Sequence, residues 1–580
     1  MPPEAQSAAS ITEARELIEQ AHRAWQDYRA FSQAQVDAIV DAMAAVATAN
    51  AERLAAMAVE ETTYGKVADK VRKNRFASER VYQAIRPMKT VGVLREDLER
   101  GIIELGEPVG VVAAILPCTN PTSTAIYKIL IALKAGNAIV LSPHPAAMRC
   151  ICETVGLMQQ AARAQGAPEG LIGCFSQPTR EGTGELMTHP KTRVILATGG
   201  MGIVRAAYSS GKPAFGVGPG NVPAFVDRSA KLEQAIADVV AGKSFDWGTI
   251  CSSEQALVAE APLREAILAE LRKQQVHLLS KDQAKRLADV LIHPESFTVN
   301  AACVGQSPQK LAALAGFGPE VGPEVRVLAA ELEGMGKQYP LSAEKLSPVL
   351  ALYFMPDREA AMRRCSDLLH FGGLGHTCVI HAQDDAVIRE YGRRMPAFRV
   401  VVNSPAPLGS IGATTNLFPA MTLGCGAVGG NITSDNIGPQ HLMNIKRIAY
   451  AAPQKAEARP LAAAAAAPAS GPACACQHAA AKPAATDPRD AIRDLVETVL
   501  AERGIRPASA APAAPAPPAS TPFVPPPLPP KPKPVAFVCE ADVREALAKG
   551  QKIPIGPKTL LTPSARDLGR ERDAFEDADG

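Results

Sequence analysis

From residue 11 to about residue 75, apolar residues recur every three to four positions among Ala, Glu, Arg and Leu, with Leu54, Met57 and Ala58 on one face and Arg53 and Glu60 beside them. The spacing predicts helices there. After Gly106 the period changes. Short runs rich in β-branched residues at 109–116, 138–141, 171–175, 194–197 and 222–226 are each followed by an amphipathic stretch. That alternation predicts buried parallel strands with helices on both faces of the sheet. A second series begins near Leu232 and continues through 255–259, 325–331, 349–354, 377–380 and 398–402. Two α/β domains are the economical reading.

Near Ala451 the pattern stops, and Ala and Pro dominate to about Pro534. Such a stretch buries too little apolar area to form a core and is predicted to be a flexible, partly extended linker. One island interrupts it at 487–504, where Ile492, Leu495, Val496, Val499 and Leu500 fall on one helical stripe. An isolated helix of this length is marginal in water, so the stripe needs a partner. From Val535 to about Gly569 apolar content returns, with Val543, Leu547, Ile553, Ile555, Leu560 and Leu561.

Composition narrows the picture. The chain has 580 residues, 47% of them hydrophobic, enough for sizeable cores. Lys and Arg number 61 against 59 Asp and Glu, a net charge of +2, which argues against nucleic acid or an anionic membrane as a bulk partner. Twelve irregularly spaced cysteines do not form a disulfide framework, and the N-terminus lacks a basic region followed by an apolar stretch. A soluble protein of a reducing cytoplasm is expected. The longest apolar runs are cut by Pro117, Asn120, Pro121, Lys128 and Lys134, well short of a membrane span.

The strongest local signal for chemistry is Ser244-Phe245-Asp246-Trp247-Gly248-Thr249-Ile250-Cys251-Ser252-Ser253-Glu254-Gln255. It places Cys251 on a loop between a helix and a strand, where backbone donors favour an activated thiol; a small buried hydrophobe fits the same pattern. Asn120, between Thr119 and Pro121, suits an oxyanion donor or a turn. Thr198-Gly199-Gly200 joins a strand to a helix, as a pyrophosphate site or as a tight turn. His144 between two prolines also fits a surface turn, and Glu344 a solvated carboxylate at a helix start. The Cys474-Ala475-Cys476 and His478 cluster fits no standard zinc spacing, so no metal is expected.

Several ordered blocks taken together resemble the CoA-acylating aldehyde dehydrogenases, both the aldehyde half of bifunctional aldehyde-alcohol dehydrogenases and the propionaldehyde or acetaldehyde dehydrogenases of bacterial microcompartments. They are residues 117–124 (Pro-Cys-Thr-Asn-Pro-Thr-Ser-Thr), Ser142-Pro143-His144-Pro145, Ala197-Thr198-Gly199-Gly200, Gly216-Val217-Gly218-Pro219-Gly220-Asn221, the Cys251 segment, Glu344-Lys345-Leu346-Ser347-Pro348-Val349, Gly375-His376-Thr377 and Leu423-Gly424-Cys425-Gly426. The likeness runs from about Glu13 to Tyr450. No iron-dependent alcohol dehydrogenase segment follows, so the expectation is an aldehyde dehydrogenase alone.

The resemblance implies an aldehyde dehydrogenase-like fold: two Rossmann-like α/β domains, an oligomerisation arm and a largely disordered C-terminal extension. The expected divisions are 1–227 for NAD binding, with 101–112 contributing to the arm; 228–420 for catalysis; 421–450 for oligomerisation and return; 451–534 as linker carrying helix 487–504; and 535–580 as tail. It implies Cys251 as nucleophile and Asn120 as oxyanion donor. Thr119, Ser142, His144, Thr198, Gly199, Gly200, Val217, Gly218 and Glu344 are implied for NAD, with Ser142 and His144 at the adenosine ribose and Glu344 at the nicotinamide ribose. Ile250, Ser252, His376 and Thr377 are implied for the substrate or coenzyme A pocket, although a satisfied buried histidine is the commoner state of a residue like His376.

Relatives that release a free acid carry a glutamate in the segment matching 216–220, and this chain has none there. Without that base water is a poor deacylating agent, whereas coenzyme A brings a sulfur nucleophile. The expected reaction is short aldehyde plus coenzyme A plus NAD to acyl-CoA plus NADH, with propionaldehyde ahead of acetaldehyde. A free-acid dehydrogenase and an inactive recruitment scaffold are the alternatives. Helix 487–504 on its tether is similar to encapsulation peptides, and 561–568 to tails of other microcompartment proteins. The expected partners are therefore a shell protein and further copies of the chain, as dimer or tetramer. The mixed polar face of Asp487, Arg489, Asp490, Arg493, Asp494 and Glu497 disfavours a membrane surface.

Overall fold

A computed structural model describes residues 3–451, 535, 537–556, 559–562, 565, 566, 568, 569, 572 and 574–577. The chain divides into two units, Met1–Leu461 and Ala462–Gly580. Helix 487–504, Cys474, Cys476 and His478 lie outside the described residues.

The N-terminal helical pattern forms Pro3–Tyr28, Gln33–Ala49, Ala51–Thr62 and Val67–Arg75. The first lies against a five-stranded parallel sheet, and the other three pack on the helices Pro121–Lys134 and Met148–Ala164; the order of the sheet is Ile172–Cys174, Ala138–Ser142, Val111–Ile115, Thr192–Thr198, Ala214–Val217. Its three inner strands are almost wholly buried, which is why they lack a polar face. The helix Pro121–Lys134, buried along its whole length, follows the middle strand.

The second sheet has seven parallel strands in the order Val276–Leu278, Val327–Glu331, Val349–Met355, Glu254–Glu260, Val222–Val226, Gly375–His381, Ala397–Val402. One expectation is corrected here. The run 222–226, read as the last strand of the first series, pairs instead with Glu254–Glu260 and Gly375–His381. The first sheet closes with Ala214–Val217, a strand hidden in the glycine-rich segment, so the chain crosses between the sheets at 218–221.

A third, antiparallel sheet joins Gly92–Asp97, Ile102–Pro108 and Met443–Ala449. It leaves Val93, Leu98, Ile445, Ile448 and Tyr450 exposed. In the C-terminal unit, Phe537–Val538 pairs with Leu560–Leu561 and Ile553–Ile555 with Phe575–Asp577, around a small core of Val538, Val543, Ala565 and Ala574. Among the described residues no helix is long and apolar enough to cross a membrane.

Candidate active site

Cys251 sits on the loop between the turn Phe245–Gly248 and the strand Glu254–Glu260. It is half-buried, whereas its neighbours Ile250 and Ser252 are buried and the Ser252 hydroxyl accepts from Ser410 Oγ at 2.6 Å. His376, at the start of the strand Gly375–His381, brings Nε2 to 3.2 Å from Cys251 Sγ. Its Nδ1 lies 3.0 Å from Thr377 Oγ1, to which Arg399 Nε also donates at 3.4 Å. A guanidinium only donates, and Thr377 Oγ1 has a second lone pair to accept from Nδ1–H, the tautomer that leaves Nε2 bare toward the sulfur and able to accept the thiol proton. Arg399 is itself buried and spends its other donors on the carbonyls of Ser434, Gly424 and Gly375.

Electrostatics hold this pair uncharged. Burial pushes the Cys251 thiol up to about 12, with Glu344 and Cys425 adding to the rise and Arg399 opposing it. Burial, reinforced by Arg399, brings the His376 imidazole down to about 3. Thiol and neutral imidazole are the forms present near pH 7.

Asn120 occupies the N-cap position of Pro121–Lys134, yet its side chain makes no capping hydrogen bond. An asparagine there normally caps. Here the amide is taken up elsewhere: Lys73 Nζ donates to Oδ1 at 2.5 Å, while Nδ2 approaches Thr119 Oγ1 at 3.2 Å and Thr249 O at 3.5 Å. Asn120 thus spans from the N-terminal helices to the loop that carries Cys251.

The crossing segment walls the site. A β-carbon on Gly220 would stand 2.2 Å from Cys251 O and 3.3 Å from His376 Cγ, so only glycine allows this approach. Gly220 N donates to Glu344 Oε1 at 2.9 Å. Burial pushes the Glu344 carboxyl up to about 7, opposed by that N–H and by Lys243 and Lys345. At Gly216 a β-carbon would meet Tyr208 Oη and Val204 Cγ1 at 2.7 Å. Tyr208 Oη and Asn431 Nδ2 both donate to Gly216 O, at 3.0 and 2.8 Å. A glutamate at 216 has no room.

Of the residues anticipated for a dinucleotide, all but Glu344 lie at or just beyond the C-terminal ends of strands of the first sheet, whereas Glu344 precedes the strand Val349–Met355 of the second. Thr198 ends the strand Thr192–Thr198, and its hydroxyl is buried without a hydrogen-bond partner among the described residues. Gly200 follows at the N-cap of Met201–Tyr208 with open space around it. An orphan hydroxyl beside unobstructed N–H groups at a helix start fits a phosphate-bearing cofactor. Val217 is buried, and Gly218 lies against the Met201 sulfur, 3.3 Å from where a β-carbon would stand. Ser142 is buried and its hydroxyl pairs with Thr183 Oγ1 at 2.8 Å. His144 is exposed, and its Nδ1 accepts from Ala146 N at 3.1 Å, the bracing of a surface turn.

Several groups at this site carry no signal in their local sequence. Lys73, Asp246 and Arg399 are buried charges brought in from a helix, a turn and an edge strand. Lys128 is buried too, and donates to Ile115 O and Leu196 O at 2.7 and 2.9 Å, bracing the ends of two strands. A lysine at a helical position that falls on the apolar face is the one pattern that marks such residues in advance.

Residues 4–413 match the aldehyde dehydrogenase family. The bifunctional aldehyde-alcohol dehydrogenase of Escherichia coli K12 is 44% identical over 449 residues, covering 76% of this chain and 50% of that protein. The chain spans about half the length of the curated relatives it first matches. An acetylating aldehyde dehydrogenase from Geobacillus thermoglucosidasius superposes with a TM-score of 0.76 at 49% identity, over 77% of this chain and 98% of its own. Two propionaldehyde dehydrogenases superpose with TM-scores of 0.68 at 28% identity, over 75% of this chain and 97% of theirs. One is from the fucose-utilisation microcompartment of Clostridium phytofermentans, the other from Rhodopseudomonas palustris with coenzyme A bound and its cysteine acylated.

Proposed function

The chain belongs to the aldehyde dehydrogenase family, and we propose that it oxidises a short aldehyde on Cys251 and transfers the acyl group to coenzyme A. Bound NAD supplies the hydride acceptor and a positive charge that favours the thiolate. Everything else falls to side chains of this protein. The Cys251 sulfur attacks the aldehyde carbon, and the resulting oxyanion is received by the Asn120 amide and the Cys251 N–H. Its collapse leaves a thioester on sulfur. His376, hydrogen-bonded to the sulfur, is placed to handle the proton of the attacking thiol, first that of Cys251 and then that of coenzyme A.

The observation that carries this reading is the filled space at Gly216, where Tyr208 and Val204 exclude the water-activating carboxylate of a hydrolytic enzyme. A thioester shielded from a general base persists until a better nucleophile arrives. The names of the relatives agree with such a reaction. Release of free acid is the second reading. It is favoured by Glu344, whose carboxyl near 7 is suited to activating water.

One assay separates them. NADH formation from propionaldehyde or acetaldehyde is expected to stop after one turnover without coenzyme A and to continue with it, and Cys251→Ala to abolish both phases. Full conversion without coenzyme A favours the acid, and an unchanged rate in Cys251→Ala removes the assignment of the nucleophile.

The residues that follow Tyr450 point to location. Helix 487–504 is proposed as the shell-binding element that carries the enzyme into the lumen of a microcompartment, and the antiparallel sheet with its exposed Val93, Ile445 and Ile448 as the contact between copies. A fluorescent protein fused to residues 451–580 is expected in shells; a diffuse signal that ignores shell expression rejects the targeting role.

A further inference from the structure

Asn120 can serve an oxyanion only if its NH2 end, and not its carbonyl end, faces the reacting carbon. An amide looks nearly the same either way round, so something must choose. In this chain the chooser is a lysine. Lys73, on the helix Val67–Arg75, is almost wholly buried, and its Nζ lies 2.5 Å from the end of the Asn120 amide. An ammonium has three donors and no acceptor, so the atom it touches must be Oδ1. Nδ2 is thereby turned to the opposite side, toward Thr249 O in the Cys251 loop.

The lysine is held as firmly as the asparagine. Its Nζ also pairs with Asp246 Oδ2 and approaches Thr249 Oγ1 at 3.5 Å. Asp246 is fully buried and uses both carboxylate oxygens. Oδ2 accepts from Lys70 Nζ at 3.1 Å and from Thr249 Oγ1 at 2.6 Å, and Oδ1 accepts from Lys66 N at 2.8 Å. Lys70 Nζ donates in addition to Thr119 O at 3.0 Å. One cluster therefore grips the backbone before Asn120, the Asn120 amide, and Thr249 two residues before Cys251.

The backbone bends to make this cluster. Asp246 and Trp247 both adopt left-handed conformations, with φ of 47° and 51°, and Gly248 continues at 72°. For a tryptophan that geometry costs on the order of 1 kcal/mol. The turn is accommodated closely: a β-carbon on Gly65 would stand 2.0 Å from Asp246 Oδ1, and one on Gly248 would stand 2.7 Å from Ser347 O. Strain of this kind persists where surrounding contacts fix it, and here they aim a carboxylate at Lys73.

We propose that Lys73 is a positioning residue for the acylation step, anchored by Asp246, that locks the Asn120 amide with its NH2 toward the carbon bound to Cys251 and polarises it as an oxyanion donor. The proposal rests on the reaction described above. An ammonium at the carbonyl end withdraws electrons from the amide and strengthens its N–H donors, so both orientation and polarity favour the same state. The burial that makes the ammonium costly also makes its field effective over the short path to the oxyanion.

A double-mutant cycle on the full-length protein tests this, read as the single-turnover rate of NADH formation before coenzyme A is added. Asn120→Ala is expected to slow that step about 100-fold or more, in the range of a lost oxyanion donor. Lys73→Met is expected to slow it about 30-fold while the half-saturating aldehyde concentration changes by less than about threefold, the signature of a lost transition-state interaction. The double variant is expected to match Asn120→Ala within about twofold, because Lys73 acts only through that amide. Lys73→Met leaves Asp246 paired one-to-one with Lys70, so no buried carboxylate is stranded; the cycle is repeated with Lys73→Gln, whose NH2 can still donate to Asn120 Oδ1 and which is expected to slow the step less than Lys73→Met. Multiplicative losses in the double variant, or a Lys73→Met rate equal to wild type, overturn the role. A wild-type protein that forms no NADH from any short aldehyde overturns the underlying reaction as well, so the two failures are told apart.

Discussion

The two parallel sheets bring different chemistry to the space between their strand ends. The five-stranded sheet delivers neutral groups: the Thr198 hydroxyl, the Gly199-Gly200 turn, and Ser142 already engaged by Thr183. The seven-stranded sheet delivers ionisable ones, Cys251, His376 and Glu344, each displaced by burial toward its uncharged form. The contrast suits a division of labour in which one half recognises a cofactor and the other stores the electrostatic cost of a reactive thiol. Asn120 is the exception, carried by the first half but directed at the second.

That exception offers the sharpest way to break the contrast. If Asn120 works for the second half, Asn120→Ala is expected to lower kcat about 10²- to 10³-fold, as removal of an oxyanion donor does elsewhere. The half-saturating NAD concentration should stay within about threefold. A variant that keeps kcat and loses NAD affinity would place Asn120 with the cofactor groups and dissolve the distinction.

Much of the architecture was legible in the hydrophobic pattern, because a strand buried on both faces is an apolar run whatever its neighbours. The strands around 138–142, 222–226 and 254–260 are of this kind. Which sheet a strand joins was not legible. Val222–Val226 follows the first series in the chain but lies between two strands of the second sheet, since pairing depends on where the chain crosses. Cys251 and Asn120 stood out because several motif blocks pointed to them together. Lys73 and Arg399 did not, for the nearest partners of Lys73 lie 47 and 173 residues away and those of Arg399 between 22 and 35. His144, a motif residue, takes the geometry of a surface turn, with Nδ1 accepting from Ala146 N.

Acid stability probes the contrast next. In the folded state the imidazole of His376 sits near 3, below its ordinary 6.5, so the stability it contributes is complete above about pH 6.5 and is lost as pH falls toward 3. His381, held near 4 by burial, acts in the same window and the same sheet. Between pH 7 and pH 4 the loss linked to His376 alone is roughly 3 kcal/mol. Urea unfolding at the two pH values is expected to show a smaller drop in His376→Asn than in wild type. His144→Asn, an exposed position on the first sheet, should change it little. Equal effects of the two substitutions would mean that the buried charge cost is not concentrated in the second half.

The smallest expected effect belongs to Ser142, and its direction follows from counting protons. Thr183 Oγ1 donates to Thr179 O at 2.8 Å, so it has no proton left for Ser142, and Ser142 must donate across their 2.8 Å contact. Ser142 thus ties the end of one strand to the helix Arg180–Thr188, and being buried it reaches a bound cofactor only through the loop it holds. Ser142→Ala removes one buried hydrogen bond, worth about 1 kcal/mol. A rise in the half-saturating NAD concentration of up to about fivefold with kcat unchanged is the expected result, the scale of about 1 kcal/mol. If kcat falls instead, the first sheet takes part in the chemical step and the two halves are not divided as their side chains suggest.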